Sequence, residues 1–257
     1  MLRALIWDVD GTVAETEADG HRIAFNQAFA ACGLDWQWDL PTYGQLLEVT
    51  GGRERLLAYM DRRDDAPTSH ADRAALARTV HLRKNAIYAD LVARGGIPAR
   101  PGVRRLMDEC QRQGVRLAIA TTTSTSNVEA LFSSLFGPTW RDRFAAIVCA
   151  EDAPRKKPDP QAYLLALRRL DVTPEEAFAI EDSPNGLLAA RAAGLRCGIT
   201  CSRYFADAGF EGAAWLRPDL ETPSPMTLQT LQALDGAAES DTRPLGRPRT
   251  RKPQPLG

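Results

Sequence analysis

Short apolar runs rich in branched residues recur along the chain, and each ends in a polar cluster: ALIWDVD (4–10), VRLAIATTT (115–123), AAIVCAED (145–152), AFAIEDS (177–183) and LRCGIT (195–200). Between them lie segments whose apolar residues repeat at helical spacing, VRRLMDECQRQG, SNVEALFSSLFG, DPQAYLLALRRL and PNGLLAARAAG. Strands alternating with helices predict an α/β fold, a Rossmann-like core built on a parallel sheet. Ligands of such sheets bind beyond the carboxyl ends of the strands, where these polar clusters fall.

One interval breaks the alternation. Residues 16–95 contain no strand-like run but three helical ones, HRIAFNQAFAACG, GRERLLAYMDRR and SHADRAALARTVHLRKNAIYADLVARG. They predict a helical cap domain inserted after the first strand, leaving 1–15 and 96–235 as the core. Linkers are expected near Ala14–Glu17 and Gly95–Pro101, where Gly95, Gly96, Pro98 and Pro101 break the helix and permit hinge motion. From Gly236 to Gly257 the chain is Pro- and Arg-rich without apolar periodicity, and is read as a disordered tail with no assigned role.

Composition narrows the partners. The 257 residues are 44% hydrophobic and 25% charged, enough for a substantial core, and the net charge of −1 provides no global basic field for nucleic acid. No apolar run reaches membrane-spanning length, and Met1 leads straight into the first strand, so a soluble, cytoplasmic monomer is expected, with no membrane partner. Five scattered cysteines (Cys32, Cys110, Cys149, Cys197, Cys201) form no metal-type or redox-type pair and read as reduced thiols.

The strongest chemical signal is DVDGT, Asp8 to Thr12. Carboxylates one residue apart on an extended chain point the same way, and Gly11 allows a sharp turn behind them. Such a pair needs a compensating cation. Mg²⁺ takes hard oxygen ligands and leaves positions open for phosphate, so one aspartate is free to attack phosphorus while the other moves protons. A second acidic cluster, Glu181–Asp182–Ser183, can complete the metal site. Between the two come the hydroxyls Thr121 to Ser124, and Lys157 in RKKPDP, which can bind and balance a phosphoryl group. Each has a plainer reading: Thr121 as a strand-end hydroxyl, Lys157 as a solvated charge, Asp182 as a helix N-cap. Their order along four strand ends favours one site.

In that order the chain resembles the haloacid dehalogenase-like hydrolase superfamily, from Met1 to Leu234. The resemblance implies Asp8 as nucleophile, Asp10 as general acid/base, Thr121 as phosphate-binding hydroxyl and Lys157 as charge balance. It implies Mg²⁺ held by Asp8, the Asp10 carbonyl and Asp182, with Glu181 beside them. The segments ETEADGHRIAFN, TGGRER and HLRKNAIY further resemble the CbbY group, relatives of β-phosphoglucomutase that dephosphorylate xylulose 1,5-bisphosphate. On that reading Arg53 and Lys84 hold the distal phosphate, Gly51 and Gly52 let backbone approach it, Glu17 accepts sugar hydroxyls, and Thr122 lines the cleft.

Alternatives stay open at this point. Glu17 also suits the first turn of a helix, Lys84 sits on a charged helix where solvation is usual, and His21 reads equally as an interfacial histidine. Trp36, Trp38 and Tyr43 read as cap packing. The expected activity is Mg²⁺-dependent phosphate release from a small phosphorylated sugar through an aspartyl-phosphate. The rivals are a mutase passing the phosphoryl group to another hydroxyl, and a non-enzymatic phospho-receiver switch, which needs no cap. Halide removal is set aside, since Asp10 would have no task in it.

Overall fold

A computed structural model describes residues 1–239. The apolar runs form β1 (Ala4–Trp7), β2 (Arg116–Ala120), β3 (Phe144–Val148), β4 (Ala177–Glu181) and β5 (Arg196–Thr200), joined by a short β6 (Trp215–Arg217). All pair in parallel in the order β3-β2-β1-β4-β5-β6. After β1 the chain builds outward through β2 and β3, then returns to place β4 on the other side of β1. The strand order therefore reverses between β1 and β4, the place where open sheets of this type leave a crevice.

The two faces of the sheet differ in size. Leu5, Trp7, Leu117, Ile119, Phe178 and Ile180 point to one side, where they pack with α5 (Val103–Arg112), α6 (Thr125–Phe136) and α9 (Leu228–Glu239). Their neighbours Ala4, Ile6, Ala118, Ala120, Ala177 and Ala179 point to the other, so α7 (Gln161–Leu170) and α8 (Pro184–Ala192) approach closely. Ser124 caps α6 and Ser183 caps α8 through side-chain oxygens, each contribution worth about 1 kcal/mol.

Between β1 and α5 lies the helical insertion. A π-helical turn, Glu17–His21, runs into α1 (Arg22–Ala31), followed by α2 (Leu40–Leu46), α3 (Gly52–Met60) and α4 (His70–Ala93). Its own core is aromatic: Phe25, Phe29, Trp36, Trp38 and Tyr43 are buried together, with Trp38 edge-on to Phe29 at 4.9 Å. These rings pack as the sequence leads one to expect. Helix α2 has no clear sequence signal, because Pro41 and Gly44 interrupt a seven-residue stretch; Asp39 starts it by accepting from Thr42 N–H at 2.8 Å. The linkers on either side meet: Ala14 bridges Ala99, and Arg100 N–H donates to Val13 O at 2.8 Å.

At the other end one boundary moves. Helix α9 continues to Glu239, through the Gly236 read as the start of the tail, because LQTLQALDGAAE keeps good helix formers on both sides of that glycine. Residues 240–257 of the proposed tail lie outside the described residues. Among the described residues no helix is long and apolar enough to cross a membrane.

Candidate active site

Register determines which groups meet. Trp7 pairs with Ile119 on one side and Ile180 on the other, so Asp8, Thr121 and Glu181–Asp182 leave the sheet at one edge. Asp8 N–H donates to Ile180 O and Thr121 N–H to Val148 O, each at 3.0 Å, which extends the ladder into the site. Two glycines permit close approach. A Cβ on Gly11, where φ is +88°, would lie 2.0 Å from the Asp182 carboxylate, and one on Gly186 would lie 2.0 Å from that of Glu181.

Lys157 sits at the centre of the buried charges. Its Nζ donates to Asp8 Oδ1 and Glu181 Oε1, each at 2.6 Å, and to Ala120 O at 2.9 Å, which uses all three hydrogens. Burial opposes its charge, but Asp8 and Glu181 outweigh it and hold Lys157 protonated, above its ordinary range. Tyr163 also donates to Glu181 Oε1 at 2.7 Å, and Thr12 to Asp8 Oδ2 at 3.0 Å. The Thr121 hydroxyl accepts from Thr123 N–H at 3.2 Å, leaving its own hydrogen for another acceptor.

Asp8, Glu181 and Asp182 each bring a carboxylate oxygen within 4.8 Å of the other two, all buried. Burial first, then the Glu181 charge, push Asp8 up to about 7 despite Lys157. Burial and the charges of Asp8 and Glu181 raise Asp182 well above the carboxylate range. Three crowded carboxylates facing one ammonium form a hard-oxygen donor set with negative charge to spare, which fits a divalent cation. Asp8 and Asp182 could hold it directly, while Glu181 is already engaged by Lys157 and Tyr163.

Asp10 faces the cap. Its Oδ1 accepts from the Thr16 hydroxyl at 2.6 Å and lies 2.9 Å from His21 Nε2, while His21 Nδ1 lies 2.9 Å from Lys84 Nζ. An ammonium only donates, so Nδ1 accepts and Nε2 carries the hydrogen offered to Asp10. Burial works against the Asp10 carboxylate, yet His21 and Thr16 hold it down at about 2. Lys84 is buried beside Phe25 and Tyr88, not solvated; burial and Arg55 bring it down to about 8 against the pull of Asp10 and Glu17.

Glu17 accepts from Tyr43 Oη at 2.5 Å, and Arg55, 3.8 Å away, donates to that same oxygen at 2.8 Å and to Leu46 O at 3.1 Å. Arg55 was not singled out in the sequence, where its neighbour Arg53 drew attention by following two glycines. The structure separates them: the Arg53 side chain is 54% exposed and beside Glu54, whereas that of Arg55 is 7% exposed. Helical spacing pointed the wrong way: Leu56 and Met60, the buried apolar residues of α3, stand three and seven residues after Arg53, and Arg55 is buried by its contacts with Tyr43 and Leu46 O.

Two adjoining cavities, about 220 and about 300 Å³, share Asp10, Glu17, Gly51, Arg55 and Thr122. The first opens on Asp8, Thr121, Lys157 and Asp182; the second on Gly52, Arg53, His81, Lys84 and Lys156. Every residue anticipated for the site except Glu181, which stands behind Lys157, lines one or the other. Sequence reasoning missed Lys156, and also Asn185, which reaches from α8 to the cap and donates to Thr50 Oγ1 at 3.1 Å. Lys156 lies in RKKPDP, where its neighbour Lys157 took the assignment, and no motif marked Asn185.

Comparison with known proteins accords with this geometry. Residues 2–194 match the family described as haloacid dehalogenase-like hydrolase. The protein CbbY (plasmid) of Cupriavidus necator is 46% identical over 223 residues, 87% of each chain. A crystal structure of CbbY from Rhodobacter sphaeroides in complex with phosphate has a TM-score of 0.83 at 43% identity, covering 90% of this chain and 100% of that one. A mutant of that protein in complex with xylulose-(1,5)bisphosphate has a TM-score of 0.82 at 43% identity, over 88% and 98%. With its parallel sheet, its acidic strand ends and its match over most of its length, the chain belongs to the haloacid dehalogenase-like hydrolase family, as an enzyme acting on phosphate esters.

Proposed function

We propose that the enzyme removes one phosphate from xylulose 1,5-bisphosphate, in a Mg²⁺-dependent reaction through a phosphorylated Asp8. The observation that carries this reading is the pair of joined cavities, one ending on Asp8 and Lys157 and the other on Arg53, Lys84 and Lys156. A core end that a divalent cation would make phosphate-binding and a cationic end on the cap side suit a substrate with a phosphate at each end, and the CbbY complex with that bisphosphate supports the choice of sugar.

Asp8, Asp182 and the Asp10 carbonyl would hold Mg²⁺, which neutralises phosphate charge when bound. The protein's own groups do the rest. An Asp8 oxygen attacks phosphorus and the phosphorus–sugar oxygen bond breaks, with Asp10 delivering a proton to the departing alkoxide. Water then attacks the same phosphorus, Asp10 takes its proton, and the bond to Asp8 breaks to release orthophosphate. Lys157 and Thr121 steady the phosphoryl oxygens. Glu17, fixed by Tyr43 and Arg55, meets sugar hydroxyls, and Gly51 and Gly52 bring backbone close to the distal phosphate.

Thr16 and His21 stabilise the ionised form of Asp10, the form that takes the proton from water in the second step. A reducing, cytoplasmic setting suits the five free thiols.

The test is phosphate release by the purified full chain from pentose and hexose mono- and bisphosphates, with Mg²⁺ and with EDTA. Preference for xylulose 1,5-bisphosphate, silenced by EDTA and restored by Mg²⁺, is expected. Recovery of the phosphoryl group on another sugar hydroxyl would instead establish a mutase, and activity indifferent to chelation would remove the metal.

A further inference from the structure

Arg100 stands where the second cap linker rejoins the core, and no step above uses it. It is buried, and its guanidinium is surrounded by backbone oxygens. Nη1 donates to Gly11 O and to Thr200 O at 2.9 Å, with Thr200 Oγ1 at 3.4 Å. Nη2 donates to Cys201 O and Pro218 O, each at 2.6 Å, and Nε lies 3.6 Å from Glu15. Four carbonyls from three separate turns converge on one planar fork. A lysine offers three hydrogens at a single point and cannot reproduce that spread.

Those turns enclose Asp182. Gly11, whose carbonyl Arg100 holds, presents its bare Cα to the Asp182 carboxylate, close enough that a Cβ would lie 2.0 Å from it. On the other side Ser202, which follows Cys201, is buried and favours the ionised form of the Asp182 carboxyl. The backbone of Arg100 also belongs to the cross-link between the linkers, through Val13 O and the neighbouring Ala14–Ala99 bridge. Cap motion is transmitted through those linkers, so the residue that ties them to the core decides how far it spreads.

We infer that Arg100 is a positioning residue: it fastens the core end of the cap linkers to the two turns that wall Asp182, so that this carboxylate keeps its place beside Asp8 while the cap moves. This rests on the reading of Asp182 as a metal-holding group. Glu181 and Lys157 are fixed from the opposite side, by Tyr163 and Ala120 O, and do not depend on the fork.

The test measures Mn²⁺ binding by electron paramagnetic resonance in full-length wild type, Arg100→Lys and Arg100→Met, with steady-state kinetics at saturating Mn²⁺ and thermal unfolding alongside. Removing a group that orients a metal ligand typically weakens metal binding about 10- to 100-fold. Arg100→Met should show that loss together with a lower kcat and a substrate KM within about threefold of wild type, since the fork does not face the sugar cleft. Arg100→Lys should fall between the two. A folded Arg100→Met that binds Mn²⁺ as wild type does overturns the inference. If that variant fails to fold, Arg100→Lys decides, and undiminished Mn²⁺ affinity there overturns it equally. A wild-type chain that binds no Mn²⁺ overturns the metal reading beneath, a failure distinct from the first two.

Discussion

The two walls of the cleft are built on different principles. On the core side, Asp8, Thr121, Lys157, Glu181 and Asp182 project from strand ends or the loops that follow, and tight registers bring Lys157 within hydrogen-bond range of Asp8 and Glu181, with an Asp182 oxygen within 4.8 Å of both carboxylates. That wall is crowded with negative charge. On the cap side, Arg53, Arg55, His81 and Lys84 are carried on helices. There the charge is positive or titratable, and a rotation of half a helical turn decides whether a side chain reaches the cleft or another residue. On the proposed reading a phosphate ester between them would meet the carboxylates on one wall and complementary cations on the other. The difference teaches that chemistry and recognition can change separately, because one is tied to the sheet and the other to helices hinged against it.

The sharpest way to break the comparison is Asp8→Asn. Losing the attacking oxygen should lower kcat roughly ten-thousandfold or more, on every substrate alike, with circular dichroism and thermal unfolding showing an intact fold. Turnover near the wild-type rate would move the reaction off the core wall. A smaller effect separates the two arginines of the cap. Arg55→Met strands the half-buried Glu17 and should cost about a hundredfold in kcat/KM on mono- and bisphosphates together. Arg53→Ala should raise KM about tenfold for a bisphosphate and hardly at all for p-nitrophenyl phosphate. Equal losses on both substrates for Arg53→Ala would deny it a distal phosphate.

The mildest effect is a pH dependence of Lys84. Its charge strengthens the hydrogen bond to His21 and the field that holds Asp10 ionised, and the ammonium loses its proton as pH rises past about 8, so kcat/KM should decline there by several-fold. Stability should move the other way. The folded value lies below the ordinary 10.5, so between the two the unfolded chain binds more protons and stability rises with pH. Activity and melting temperature measured from about pH 7 to about pH 10 test both signs. A flat activity profile would detach Lys84 from the Asp10–His21 relay.

Much of this was legible beforehand, for physical reasons that differ by element. Five strands announced themselves because a strand buried on both faces is a short continuous apolar run. The sixth did not, because Trp215–Arg217 is a three-residue edge strand with only partial burial. DVDGT and EDS were readable because carboxylates at strand ends have few structural uses. Arg55, Arg100 and Asn185 were not, because their partners are backbone carbonyls, a tyrosine and a threonine brought near by folding, and no local spacing encodes such contacts. Lys84 stood out only through the family resemblance: the surrounding charges of α4 suit a solvated face equally well, and the packing of α1 against α4 buries it.

The alanines beneath the sheet have a consequence for the site above it. Helix α7 carries Tyr163 and begins shortly after Lys157, and α8 begins directly after Ser183, so both elements that aim the buried charges lean on Ala118, Ala120, Ala177 and Ala179. An extra methyl group there would act as a wedge under the lysine and the aspartate it steadies, at a strain of about 1–3 kcal/mol. The spacing of the reactive groups is thus gauged from below, by side chains too small to touch any substrate.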